Sequence, residues 1–596
     1  MKRLVCPLLV SVLVSIDMSA AEKAGKPVVA IYDLDGVVTE SGQRGASMFD
    51  NPLDAAPPLT MLDVSRSMEK AAADPAVKAV VMATDEAELD LSQTQEIRNQ
   101  LMAIRAAGKD VWMYSEHLNN RTALIGSAAN HFALMPEADC EFHGIQSESM
   151  YFKNLLEKIG VRAEVIHIGD FKSFGETFNR TGPSDEAKRQ QDQLIDSVFD
   201  QLVAQVGEGR KLAPEKVRSL IDDGTLNAKQ MVEAGIADHL LYRTGFVKKL
   251  RETYGKDAVF DRSYELPDPD GPEIKGIFDL FKLMFKDGNA AHARKDFVAV
   301  VAMDGDISDK SVEPVRAQIL KLAKEEKAKA LVLRVNSPGG SALASEVLWE
   351  ATNEWKSTGR PLVVSMGGVA ASGGYYISSS ANRIFAEAGT ITGSIGVVGM
   401  KFVVSDAMDK LGITTHITQR GKSAGTMSML HGFTDQEAKD VRKSMLDVYD
   451  TFKKRVTEGR GKALKGDLEP LAGGRVYSGK QALDIGLVDE IGGLHEAVAY
   501  AASAAKLSNP EVRLLPEPKS GLEGLFSKPE KKSDDDIIHG SAAPNVAAKL
   551  RAAMIRTGIT EVVPAAARSA ISRLAARVET FRDTRVFLLG PDFDLR

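Results

Sequence analysis

Two stretches of this 596-residue chain repeat one another at a nearly constant interval. Lys78-Ala79-Val80-Val81-Met82 returns 251 residues later as Lys329-Ala330-Leu331-Val332-Leu333, and Ser127-Ala128-Ala129-Asn130 returns after 252 as Ser379-Ser380-Ala381-Asn382. His167-Ile168 matches His416-Ile417, and each leads to a Lys-Ser pair, Lys172-Ser173 and Lys422-Ser423. Asp185-Glu186-Ala187-Lys188 pairs with Gln436-Glu437-Ala438-Lys439, and both copies close on Gly-hydrophobic-X-Asp, ending at Asp238 and Asp489. The first strands also agree: Val28 to Tyr32 and Phe297 to Met303 each run into an acidic, glycine-containing turn. Constant spacing over such a distance means tandem duplication of one unit. Within each copy apolar strand runs alternate with helical periodicity, so the fold class is α/β, with a largely parallel sheet flanked by helices in each repeat.

The repeats divide the chain. Residues 26–264 form the first unit and 297–510 the second. Residues 265–296 are a linker that carries an amphipathic run, Ile277 to Phe285, suited to packing on its own domain, a neighbouring subunit or a membrane surface. Residues 511–545, rich in Lys, Asp, Pro and Ser, read as a mobile linker, and 546–596 as a helical extension ending in a strand, Arg585 to Pro591, that returns the chain to the fold. At the other end Lys2 and Arg3 precede an apolar run, Leu4 to Ile16, followed by Ser19-Ala20-Ala21. That run is short for a bilayer span and fits an export signal cleaved near Ala21, with a retained short anchor as the alternative. Residues 1–25 therefore place the protein on the extracytoplasmic, periplasmic side of a cell membrane. Only Cys6 and Cys140 are present, which excludes an intrachain disulfide once the leader is lost and gives no metal-ligand spacing. A net charge of −7 without a concentrated basic face argues against nucleic acid as a partner.

Alignment of the copies exposes an asymmetry. Ser372, in Gly367-Gly368-Val369-Ala370-Ala371-Ser372-Gly373-Gly374, falls opposite Asn120, and Gly373-Gly374 falls opposite Arg121-Thr122. The second copy also has Asn336-Ser337-Pro338-Gly339-Gly340 where the first has Asp85-Glu86-Ala87-Glu88-Leu89. Features lost together from one copy work together in the other. A serine among small residues at a strand-to-helix turn is a nucleophile's mounting, and amides of Gly339, Gly340 and Gly373 can hold an oxyanion. No histidine lies near Ser372, which leaves a lysine as base if desolvation keeps it neutral; Lys172 and Lys422 occupy the equivalent repeat position. Two competing motifs are weaker. Asp33-Leu34-Asp35 looks like the opening of a haloacid-dehalogenase-type phosphatase but is explained by the repeat, and Gly421-Lys422-Ser423 lacks the upstream glycine of a phosphate loop.

Taken together, Asn336-Ser337-Pro338-Gly339-Gly340, Ala371-Ser372-Gly373-Gly374-Tyr375 and Thr392-Gly393-Ser394-Ile395-Gly396 resemble the long, two-repeat form of the signal peptide peptidase A (protease IV) family, in the ClpP/crotonase-like superfamily. The resemblance spans roughly Val28 to Ala502 and departs at Tyr376, where tryptophan is common. It implies a serine endopeptidase with Ser372 as nucleophile, Lys172 of the first repeat as general base, Ser394 orienting the lysine and Lys422 as a bystander. It further implies a membrane-associated homotetramer, no cofactor or metal, and substrates that are signal-peptide remnants and similar apolar extended peptides. The alternatives are a crotonase-like acyl-thioester enzyme and a catalytically silent oligomeric scaffold.

Overall fold

The computed structural model describes residues 25–42, 57–267, 295–517 and 587–589. The leader, the Ile277 to Phe285 run and the helical 546–580 extension lie outside the described residues. Among those described, no helix is long and apolar enough to cross a membrane.

Each repeat is built on a parallel sheet. In the first, Val28–Asp33 lies between Val77–Ala83 and Val259–Asp261, and the sheet continues through Asp110–Asn119, His131–Glu141 and His239–Leu240. In the second, Phe297–Asp304 lies between Ala328–Ser337 and Glu511–Leu515, and Leu362–Ala371 follows. The Glu511–Leu515 strand is the counterpart of Val259–Asp261, so the second unit runs to Leu515, past the 510 boundary read from composition. Parallel strands are covered on both faces, which is why they are nearly continuous in Val, Ala, Leu and Ile. Val298, Val300, Val332 and Val363 face the Leu494–Ala504 helix through Leu494, Ala497 and Ala501, while Ala299, Val301, Leu331, Leu333 and Val364 face the other layer. Each buried Val or Leu among them stabilises the fold by about 1.5–3 kcal/mol.

The repeated motifs have a common structural reason. Asn130 and Asn382 each accept a strand amide through Oδ1, from Val111 and Leu362 respectively. Asp238 and Asp489 each accept an amide, from Phe132 and Ile384, and pair with Arg210 and Arg460 at the ends of equivalent long helices, Asp185–Arg210 and Asp435–Arg460.

The halves are joined by backbone and by charge. After the first sheet the chain forms Arg162–Ile168, which pairs antiparallel with Val397–Val403 of the second repeat, from Ile168 opposite Val397 to Arg162 opposite Val403. Below this, fully buried Arg334 on the Ala328–Ser337 strand donates to Glu40 and Glu96 of the first repeat at 2.8 and 2.6 Å, and to Ser365 Oγ and the Met366 carbonyl of the neighbouring strand. The glycine-rich stretch before Ser372 is strand to Ala371, not turn. Gly368 makes room for the other repeat, since a Cβ there would lie 2.5 Å from Asp90 Oδ2, the cap of the Leu91–Ala106 helix, while Gly367 makes room for Asn336 of its own repeat.

Candidate active site

Ser372 stands between the Leu362–Ala371 strand and the Gly373–Ser378 helix, with φ +55° and ψ −112°. Positive φ is costly for a residue with a Cβ, and the neighbourhood fixes it: Ser372 N–H donates to Gly393 O at 2.8 Å and Ser372 O accepts from Tyr376 N–H at 2.8 Å. The side chain is fully buried.

The strand pairing between repeats brings Lys172 there. Past Ile168 the chain turns at Gly169, Phe171 N–H donates to Gly473 O at 2.9 Å, and Lys172 points inward. Its Nζ lies 2.7 Å from Ser372 Oγ, 2.9 Å from Ser394 Oγ and 3.0 Å from Ser394 O. Lys172 is 3 % exposed, has no carboxylate beside it among the described residues, and burial holds its pKa well below the usual 10.5. A neutral amine has two N–H donors and one lone pair. The Ser394 carbonyl can only accept, so it takes one N–H. The second N–H and the lone pair are left for the two hydroxyls, and a lone pair aimed at Ser372 is what proton removal requires. Ser394 also has positive φ, +53°, and is held by donation from its N–H to Arg475 O at 2.6 Å.

The three glycines do different things. Gly339 N–H donates to Ser337 Oγ at 3.1 Å, so it is occupied by the end of the preceding Ala328–Ser337 strand. Gly340, at φ +155°, lies so close to Ile307 O that any Cβ there would clash. The position a Cβ on Gly373 would take is 3.2 Å from Gly340 N, which puts the two backbones side by side next to Ser372. Gly373 opens its helix, where first-turn amides have no partner within the helix. Lys422, by contrast, is in an exposed turn of the 411–433 loop, far from this constellation in burial and in setting. Cys140 is partly buried against the first core.

Sequence reasoning missed the clamp on the lysine. A Cβ on Gly474 would lie 2.5 Å from Lys172 N, and the Arg475 guanidinium covers the Phe171 ring at 3.7 Å. The only signal was Ala472-Gly473-Gly474-Arg475 itself, a glycine pair with no visible purpose until Lys172 is folded against it. Arg334, Glu40 and Glu96 were equally silent, since charged residues on a strand, a loop and a helix give no hint of a partner in the other repeat.

Comparison with known proteins agrees with this architecture. Peptidase family S49 matches residues 103–256 and again 354–508, and the Clp protease family matches 293–392. The chain is 28% identical over 484 residues to a protein named Serine protease SPPA, chloroplastic, of Arabidopsis thaliana, covering 79% of this chain and 70% of that one. It is 30% identical over 465 residues to Protease 4 of Haemophilus influenzae, covering 74% and 72%. A 195-residue stretch is 34% identical to Putative signal peptide peptidase SppA of Enterococcus faecium, covering 33% and 56%. With two matched S49 repeats, a ClpP-like unit and relatives aligned over most of their length, the chain belongs to peptidase family S49 and is a peptidase.

Proposed function

We propose that this peptidase cleaves internal peptide bonds with a Ser372–Lys172 dyad drawn from the two repeats. The observation that carries the reading is the 2.7 Å contact between Ser372 Oγ and a lysine buried without a counter-ion. Neutral Lys172 takes the serine proton as Oγ adds to the substrate carbonyl, and the amides of Gly340 and Gly373 stabilise the oxyanion, with Gly339 giving its strand room to approach. The resulting ammonium protonates the departing amine, leaving an acyl-serine. Water then gives a proton to Nζ as it adds to the ester, and Nζ returns that proton to Ser372 Oγ as the ester bond breaks, restoring the serine and the neutral amine and releasing the acid, which ionises to solvent. Ser394 keeps the amine aimed through its carbonyl and hydroxyl.

Signal-peptide remnants and other apolar extended segments are the proposed substrates. The name of the Enterococcus faecium relative supports this class, as does a site bordered by backbone strands that can pair with an extended chain. Homotetrameric assembly at a membrane surface is part of the proposal. It is supported by exposed Leu411, Ile413, Ile417 and Met429 around the loop that corresponds to Arg162–Ile168, and by a helix, Lys153–Ile159, with no buried residue. Peptide hydrolysis by purified variants tests the core of the reading: Ser372→Ala and Lys172→Ala abolish it while Lys422→Ala leaves it largely intact. A loss in Lys422→Ala as deep as in Lys172→Ala refutes the assignment of the base.

A further inference from the structure

The terminal strand returns to a particular place. Phe587–Leu589 pairs antiparallel with Gly339–Ser341, with Leu589 opposite Gly339, Leu588 opposite Gly340 and Phe587 opposite Ser341. On its other side Phe587 pairs with Val398, so the sheet reads Gly339–Ser341, Phe587–Leu589, Val397–Val403, Arg162–Ile168. The segment thus fills the slot between the strand of the oxyanion glycine and Val397–Val403, the strand that pairs in turn with the Arg162–Ile168 arm leading to Lys172, and it lies beside the Gly373–Ser378 helix. The first repeat offers a contrast. Its counterpart strand, Ala87–Glu88, pairs with Gly36–Val37 alone among the described residues, whereas Gly340 has Ile307 on one side and the terminal strand on the other. The slot is filled in the half that has the serine.

We infer that the chain's own segment Phe587–Leu589 is a tethered ligand of the peptide groove, competing with substrate by adding a strand to Gly339–Ser341. The inference rests on the reading of Ser372 and its surroundings as the peptidase site. Backbone pairing is the recognition, so the ligand class is an extended peptide and any substrate must displace it. Tethering supplies an effective concentration on the order of 1 mM. For a short strand binding with a dissociation constant of roughly 0.1 mM, the apparent KM rises about tenfold with kcat unchanged.

The test uses the full chain with Leu588→Pro, which removes a backbone donor and disfavours pairing opposite Gly340. Expected is a KM for a short fluorogenic peptide about tenfold lower than wild type at equal kcat, and competitive inhibition of the variant by a synthetic Arg585 to Pro591 peptide. Binding of the same labelled peptide to Ser372→Ala, with and without Leu588→Pro, gives a readout independent of turnover, and the tail-disabled protein binds about tenfold more tightly. Equal KM values together with equal peptide affinities overturn the inference while leaving the peptidase reading intact. Absence of hydrolysis by wild type and Leu588→Pro alike, with the peptide still bound more tightly by the tail-disabled protein, instead overturns the peptidase reading.

Discussion

Glu387→Gln separates a proton-dependent contribution to the inter-repeat contact from the chemistry of the site. Glu387 is buried at the end of the Arg383–Ala386 strand, and its carboxyl oxygens accept from Asn99 Nδ2 of the first repeat at 3.3 and 3.1 Å. The nearby guanidinium of Arg334 is taken by Glu40 and Glu96. Burial, then the charges of Glu96 and Glu496, push the Glu387 pKa well above its usual 4.5, against weaker lowering by Asn99 and Arg334. A folded-state pKa raised above the unfolded value gives stability that is complete below about 4.5 and is lost as pH rises toward the folded value, because the unfolded chain gives up a proton that the folded chain keeps. Each pH unit in that window removes about 1.4 kcal/mol. Glutamine keeps the shape and the contact with Asn99 but cannot titrate. As pH rises above about 4.5 the difference in unfolding free energy between wild type and Glu387→Gln should therefore shift steadily in favour of the variant, by up to about 1.4 kcal/mol per pH unit until Glu387 ionises in the fold. Urea unfolding followed by the fluorescence of buried Trp112 and Trp355, one in each repeat, reports it. Parallel stability curves for the two proteins would refute the argument, since they would mean that Glu387 is ionised in the fold.

Arg334→Met leaves Glu40 and Glu96 buried without their cation and Ser365 and Met366 without a donor, a loss of about 3–5 kcal/mol that lower pH should reduce as Glu96, whose pKa burial already raises to about 7, protonates; thermal melts across pH check it. Because burial holds the Lys172 pKa well below 10.5, kcat/KM should rise with pH as Nζ loses its proton, with a midpoint well below that value; Lys172→Arg, which cannot deprotonate, should stay inactive throughout. Gly340→Ala forces a Cβ against the Ile307 carbonyl, so the oxyanion strand must shift and hydrolysis should fall by about 100-fold or more while the melting temperature changes little. Equal losses of activity and of folded protein would reassign Gly340 to stability alone.

How much could be read from residues alone follows from what kind of signal each residue leaves. Repetition is a property of order along the chain, so the doubled α/β unit, the serine turn and the two equivalent lysines stood in the sequence without coordinates. The terminal strand was also legible, from a short run of Val, Phe and Leu before Gly-Pro; its partner was not. Contacts between distant segments leave no periodicity. Lys172 and Lys422 are equivalent in the repeat, and burial distinguishes them: one is pressed against Gly474 and loses its water, the other stays in an exposed turn. Arg334, Glu40 and Glu96 look like surface charges until the strands at the seam of the two repeats shut water out around them. The order of residues determined what groups this protein could bring to bear, a hydroxyl among glycines and an amine in each half. Packing decided which amine is dry, which glycine amide is already engaged and which end of the chain lies beside them, because desolvation and hydrogen-bond partnership exist only once segments far apart in sequence have closed over one another.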